Sequence, residues 1–397
     1  LLLKMGVLLN MKVAVIGAGS TVFGELFGRS YADLVLEAVK ECLNSVDKGF
    51  ELKEVEAIWL STAIGTLIRR EGCISCEVAD TLRLYNLPIT RVENACSSGG
   101  DAIRNAAFAV AAGIYDKVLV IGAEKMRDVP SRDTVIAFSG ELRHQWWHPR
   151  GLTAPGWAAL YAVAHMNQYG TKEEQFAEVA VKNHEYGSMN PKSQFKFKVT
   201  LEQVMNSPVV AWPIRLLHCC PVTDGAAAVI LANPEIAKKY TDAPVYLVGT
   251  GLAVDSFYMG WRESYTYSPA MVSAAKQAYK MARIEPKDVD VAELHDCFSP
   301  VEIMLYEDLG FCPKGEGGKF IEEGLSRLGG KVPCNLSGGL KTKGHPIGAT
   351  GVGQAYEIWK QLRGEAGKVQ VNGAEIGLTC NWGGPGSIGV VNIYRRP

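Results

Sequence analysis

The chain has 397 residues, 47% of them hydrophobic and 21% charged, which is enough apolar material for a large buried core. Its 41 basic and 42 acidic residues leave a formal net charge of -1, so composition supplies no general attraction for nucleic acid. No run approaches the ~20 apolar residues of a membrane span, and 10 cysteines spread over this length do not make a secreted disulfide framework. A reducing, cytoplasmic setting is the expectation.

Leu1 to Asn10 is apolar, begins without Met and lacks the charged start and small-residue cleavage site of a signal peptide. Residues 1–10 are therefore expected to be an upstream extension, with Met11 as the natural start. A strand is predicted over Lys12–Ile16, ahead of Gly17-Ala18-Gly19. Leu34, Ala38 and Val39 repeat at helical spacing and predict a helix from about Tyr31 to Leu43. A second strand follows at Ala57–Leu60. Cys73 and Cys76 form a single C-x-x-C without the second pair of a zinc ribbon, and read as small, partly buried thiols with no metal. Asn94-Ala95-Cys96-Ser97-Ser98-Gly99-Gly100 leads into an Ala-rich helix ending near Gly113, then a strand at Lys117–Ile121.

From Pro130 to His218 the texture changes. Arg143-His144-Gln145-Trp146-Trp147-His148 is followed by helical stretches at Trp157–Tyr169 and Thr171–Tyr186 and a passage through Pro191, Pro208 and Pro213. This reads as an inserted, mostly helical lobe, either a lid over a ligand or a dimerisation element. Strand Ala226–Ala232 returns the chain to the first sheet.

The later half repeats the earlier one. Val245–Val248 runs into Gly249-Thr250-Gly251, then come helix Met271–Met281 and strand Val289–Leu294. Glu54-Val55-Glu56 and Asp288-Val289-Asp290 sit ahead of, or at the start of, the two second strands. Asn335-Leu336-Ser337-Gly338-Gly339 and Gly344–Gly351 lead into a helix near Val352–Leu362, and strands Glu375–Cys380 and Ser387–Tyr394 close the chain. Alternating strands and helices imply α/β units with buried sheets, here as an internal duplication.

Four segments place reactive side chains among glycines, where backbone can approach a ligand closely. Cys96 precedes a helix, whose free N–H groups and dipole stabilise a thiolate; a buried structural thiol is the other reading. His345, in Gly344-His345-Pro346-Ile347-Gly348, stands at another helix start and could exchange a proton with a thiol. His295, in Leu294-His295-Asp296-Cys297-Phe298, follows a strand, at the end where α/β proteins bind ligands. Cys380, in Thr379-Cys380-Asn381-Trp382-Gly383-Gly384, is expected at a strand end beside a glycine-rich turn.

At these segments the chain resembles the thiolase superfamily, and specifically its sterol-carrier-protein-x-like branch. The resemblance runs from Met11 over nearly the whole chain and extends to Asn190–Phe195 and Cys219–Ala227. It implies a five-layered αβαβα fold built from duplicated βαβαβαββ halves: residues 11–129 with 219–244, then 245–397. Residues 130–218 would be a loop domain covering coenzyme A. By the resemblance, Cys96 takes the acyl group with His345 activating it, and Cys380 moves the proton at the α-carbon of the second substrate. His345 and His295 would form an oxyanion hole, and backbone N–H groups of Cys96 and the Gly383-Gly384 turn would hold the tetrahedral intermediate. One departure stands out: Trp382 occupies the place of the glycine in the Cys-x-Gly motif of other thiolases. Sterol-carrier-like relatives instead have His, then Asn, at the positions of Cys380 and Asn381.

The function implied is acetyl-CoA C-acetyltransferase, joining two acetyl-CoA into acetoacetyl-CoA and CoA, with no permanently bound cofactor. The mixed pattern is similar to archaeal enzymes feeding the mevalonate route to isoprenoids. That likeness implies a homodimer or tetramer, and a complex with hydroxymethylglutaryl-CoA synthase through a zinc-ribbon/OB-fold acyl-CoA-binding protein. The alternatives are a degradative 3-ketoacyl-CoA thiolase and a non-catalytic acyl-CoA-binding scaffold.

Overall fold

A computed structural model describes residues 11–70, 72–139 and 148–397. The Leu1 to Asn10 extension and residues 143–147 of the Trp/His-rich run lie outside the described residues. Among the described residues eleven strands are found: β1 Val13–Ser20, β2 Ala57–Ser61, β3 Ile89–Val92, β4 Lys117–Glu124, β5 Val209–Ala211, β6 Ile214–Arg215, β7 Gly225–Ala232, β8 Val245–Val254, β9 Val291–Glu293, β10 Ile376–Gly383 and β11 Ile388–Arg395. Nine form one sheet in the order β3-β2-β4-β7-β1-β8-β11-β10-β9, while β5 and β6 make a separate ribbon.

That order is a mirror image about its middle. In the first half β2 runs parallel to β3 and β4, and β7 runs antiparallel to β4 and β1. In the second half β10 runs parallel to β9, and β11 runs antiparallel to β10 and β8. The counterpart of β3 is reduced to a single parallel bridge, Ala292 to Cys334. The halves join where Val13–Val15 of β1 pairs antiparallel with Val245–Leu247 of β8. The expected duplication is present as topology.

Helix α1, Tyr31–Asn44, begins with a capping box: Ser30 Oγ accepts from the Asp33 N–H, and the Asp33 carboxylate accepts from the Ser30 N–H. Leu34, Val35, Ala38, Val39 and Cys42 make its buried stripe, which lies on β1 and β7. Helix α2, Ser98–Ala111, follows the Cys96 loop; helix α3, Pro269–Ala282, covers β8 and β11; helix α4, Ile347–Arg363, follows His345. Helices α2 and α4 touch each other and strands of both halves. They form the middle layer, with a sheet half on either side and α1 and α3 outside, an αβαβα stack. Being covered on both faces explains why every residue of β7 is buried and apolar or glycine.

Between β4 and β7 lie helices Ser131–Ser139, Ala154–Tyr169, Glu173–Gly187 and Leu201–Met205 and the β5–β6 ribbon. Lys182 ties this segment to the second half: its Nζ, fully buried, donates to Glu302 at 2.6 Å and to the Cys334 carbonyl at 2.7 Å. Cys73 and Cys76 are exposed rather than partly buried. Helix α4 starts at Ile347, earlier than the expected Val352, because Pro346 occupies its N-cap and Glu124 accepts the N–H of Gly348. Strand β10 continues to Gly383, so Cys380 lies in mid-strand opposite Val391 and the turn begins only after Gly383.

The middle layer closes on glycine. A Cβ at Gly351 would lie 2.2 Å from the Gly100 nitrogen, and one at Gly99 would lie 2.8 Å from the Gly351 nitrogen. Here the two helix backbones touch, leaving no flexible side chain to give way. Gly351→Ala is therefore expected to destabilise the fold by about 2–3 kcal/mol through overpacking. A urea midpoint equal to that of the wild type would show that the helices can part without penalty.

Candidate active site

Cys96 stands at the tip of a tight turn one residue before the N-cap of α2. Ala95, immediately before it, is held at φ +51°, a left-handed conformation that costs a non-glycine residue about 1 kcal/mol. The turn is over-determined by polar contacts. Ser97 N–H donates to the Asn94 carbonyl at 3.0 Å, Ser98 Oγ accepts from the Asn94 N–H at 2.8 Å, and Asn94 Nδ2 donates to Asp101 at 2.7 Å.

His345 is delivered from the other half by the start of α4. Its N–H donates to Thr223 Oγ1 at 3.0 Å. Glu124, fully buried at the end of β4, accepts from Gly348 N–H at 2.9 Å, Ala63 N–H at 2.8 Å, Gly65 N–H at 2.7 Å and Thr62 Oγ1 at 2.9 Å. The first sheet half thus clamps the start of the second half's helix.

The tautomer of His345 is assigned from its partners. Thr350 Oγ1 lies 2.7 Å from His345 Nδ1 and 3.0 Å from the Pro346 carbonyl. Assigning that hydroxyl proton to the Pro346 carbonyl, which can only accept, places the ring proton on Nδ1, where Thr350 accepts it. Burial lowers the His345 pKa to about 3, so the ring is neutral. Its Nε2 lone pair then faces Cys96 Sγ at 3.4 Å. This is the geometry of a thiol and its base.

His295 follows β9, with Leu294 N–H donating to Asn335 Oδ1 at 2.7 Å. The next residue, Asp296, accepts from Leu340 N–H at 2.6 Å, Lys341 N–H at 3.2 Å and Asn183 Nδ2 at 2.7 Å, which pins the loop. The His295 ring lies edge-on to that of His345, with centroids 4.8 Å apart. Burial first, and the neighbouring His345 second, hold its pKa well below the usual range. Both of its ring nitrogens are buried without a hydrogen-bond partner among the described residues. A neutral imidazole so placed has a donor for an incoming oxygen.

Cys96, His295 and His345 share one cavity of about 230 Å³, walled by apolar groups including Phe138, Leu152, Trp157 and Phe298. Gly384 and Cys297 also line it. Gly383 does not; it backs onto the Cys96 turn, where an added Cβ would meet Ser97 Oγ at 2.9 Å. Cys380 is fully buried, is absent from the wall and lies against the backbone of His295, and burial drives its pKa up. Thr350, Glu124 and Cys297 were not singled out from the sequence. Thr350 had a signal in its place five residues after His345 in the same glycine-rich loop. Glu124 had one as an acid ending an apolar strand. Cys297 sits inside the His295 segment itself, and only the wall of the cavity distinguishes it from Cys380.

Two family models match the chain: "Thiolase, N-terminal domain" over residues 13–235 and "Thiolase C-terminal domain-like" over residues 251–396. Acetyl-CoA acetyltransferase of Methanothermobacter thermautotrophicus is 47% identical over 97% of this chain and 99% of its own. Human sterol carrier protein 2 is 36% identical over 97% of this chain and 72% of its own. The solved Ltp2-ChsH2(DUF35) aldolase superimposes with a TM-score of 0.84 at 28% identity, covering 97% of this chain and 98% of that one.

Thr350→Val removes the acceptor that fixes the His345 tautomer while keeping the side-chain shape. Alkylation of Cys96 by iodoacetamide, read at that cysteine by peptide mass spectrometry, should slow about 10- to 100-fold. Thr350→Ser should restore it. An unchanged rate in the valine variant would remove Thr350 from any role in orienting the base.

Proposed function

This chain belongs to the thiolase family of acyltransferases, and from that premise we propose that it is an acetyl-CoA C-acetyltransferase. It would join two acetyl-CoA into acetoacetyl-CoA and CoA through an acetyl-Cys96 intermediate. The observation that carries the reading is the 3.4 Å contact between His345 Nε2 and Cys96 Sγ. The archaeal relative at 47% identity, named acetyl-CoA acetyltransferase, supports the choice of acyl group.

In the proposed course, Cys96 gives its proton to His345 Nε2 and its sulfur attacks the thioester carbonyl. CoA leaves as a thiol, taking a proton from a second cysteine, which remains as thiolate. That thiolate removes a proton from the α-carbon of the next acetyl-CoA, while Nε2–H of His345 and the ring of His295 donate to the enolate oxygen. The carbanion attacks acetyl-Cys96, and the departing Cys96 sulfur recovers its proton from His345. Backbone N–H groups of Cys96 and of the Gly383-Gly384 turn are assigned to the tetrahedral oxygen, with Gly384 favoured because it lines the cavity. For the second cysteine the cavity wall favours Cys297 over the fully buried Cys380.

Residues 130–218 are read as the loop domain over the substrate, since Leu152 and Trp157 come from it. Strand β3 ends the sheet with one edge unpaired among the described residues, which suits a homo-oligomer built by strand pairing. The solved aldolase bears a second component in its name, ChsH2(DUF35), which supports a partner here too. We place the enzyme at the head of the mevalonate route, in complex with hydroxymethylglutaryl-CoA synthase through a zinc-ribbon/OB-fold protein. Among the described residues no helix is long and apolar enough to cross a membrane.

Acetyl-CoA should leave one acetyl group on Cys96, found by mass spectrometry and absent in Cys96→Ala. A wild-type protein that stays unmodified would point to a non-catalytic acyl-CoA-binding chain. Comparable cleavage of acetoacetyl-CoA and of long 3-ketoacyl-CoAs would move the assignment to a degradative thiolase.

Cys297→Ala should still acetylate Cys96 but lose condensation by about 100-fold or more, as expected when a proton carrier is removed. Cys380→Ala should keep most of it. The reverse pattern in steady-state assays would return the proton to Cys380.

A further inference from the structure

The same cavity contains a ligand set of another kind. Cys96 Sγ, a ring nitrogen of His295 and a ring nitrogen of His345 all lie within 4.8 Å of one another. Around a tetrahedral zinc ion, with Zn–S of about 2.3 Å and Zn–N of about 2.0–2.1 Å, neighbouring donors stand roughly 3.3–3.6 Å apart. The Cys96–His345 pair is already at 3.4 Å. Bringing His295 into range takes a ring shift of about 1 Å from the present limit.

Three further features fit an ion. Both nitrogens of His295, which lines the cavity, are buried with no hydrogen-bond partner among the described residues, so whichever carries the lone pair has no proton to receive. Thr350 holds His345 through Nδ1, the outer-shell tether that ligating histidines commonly have, leaving Nε2 as donor. Three protein ligands also leave a fourth position open to the cavity, as in three-ligand zinc sites.

We propose that this cavity takes up a soft divalent cation, of which Zn²⁺ is the type, on Cys96, His295 and His345, and that the ion and an acyl group exclude each other. As the Zn–S bond forms, the Cys96 thiol releases its proton to solvent. Charge donated to the cation lowers the nucleophilicity of the bound sulfur. Conversely, a thioester sulfur on Cys96 carries no charge and is a poor ligand. The cation is thus a reversible inhibitor and not a cofactor. Uptake of the ion rests on geometry alone; the exclusion rests on the acetyl-Cys96 reading.

The test uses the full chain carrying Cys73→Ser and Cys76→Ser, which removes the exposed thiol pair as a competing site. Zn²⁺ is titrated against a chromophoric chelator without substrate. One equivalent should bind, with affinity falling at least about 100-fold in Cys96→Ser and 10-fold or more in His295→Ala. Co²⁺ in place of Zn²⁺ should give a thiolate-to-metal absorption band that Cys96→Ser abolishes. Protein first acetylated by acetyl-CoA should take up no Zn²⁺. No stoichiometric uptake, or uptake unchanged in Cys96→Ser or His295→Ala, overturns the site. Uptake by protein shown to be acetylated overturns the exclusion. Failure to acetylate at all is a separate result, because the ion is read in substrate-free protein.

Discussion

The contact on which the rest depends is backbone against backbone. Helix α2 from the first half and helix α4 from the second approach through Gly99, Gly100 and Gly351, with no room for a Cβ. Each begins with a functional segment, Cys96 ahead of α2 and His345 ahead of α4. Bringing the two starts together makes a thiol and an imidazole, 249 positions apart in the chain, hydrogen-bonding neighbours. A duplicated fold suits this task, since two copies of one unit meeting about a common axis bring equivalent loops to the same place. Each helix is gripped by the opposite half: Glu124 of the first sheet half holds the start of α4, and Asn392 of β11 donates to Gly100 of α2 at 3.0 Å.

The site trades stability for reactivity in particular places. Ala95 is in a left-handed conformation, the His295 ring lacks hydrogen-bond partners among the described residues, and two imidazoles are held neutral by removal from water. A His345 charged at rest would offer no lone pair to the Cys96 thiol. Burial rather than a neighbouring charge keeps it uncharged, so the competent state persists throughout the neutral pH range.

Such strain persists only because the surroundings are stiff. The Lys182–Glu302 pair joins helix Glu173–Gly187 to the second half, and Lys125 Nζ meets Asp224 at 2.7 Å beside the first. Buried pairs of this kind add little net stability against an apolar replacement, but losing one partner strands a charge, typically at a cost of about 3–5 kcal/mol. They act against partial opening more than they deepen the folded state. Asp296, adjacent to His295, has a similar effect: it receives three donors and fixes the loop without entering the cavity.

Much of this was legible in the order of residues. The alternation of strands and helices, the repeated Gly-rich turns after β1 and β8, and the helix-start settings of Cys96 and His345 are local properties. Local chemistry determines them: apolar periodicity selects the element, and glycine and proline mark its ends. The sequence also indicated the duplication, because matching halves keep matching patterns. What it did not disclose was which atoms meet. Cys297 and Cys380 are both thiols in plausible segments, and only the cavity wall separates them: one faces it, and the other is enclosed in mid-strand behind the His295 backbone. Thr350 as the keeper of a tautomer and Glu124 as the clamp of α4 depend on distances between residues far apart in the chain or on opposite sides of a helix start. Chain order carries no information on such distances until the two halves close on their glycines, and that closure is a tertiary event.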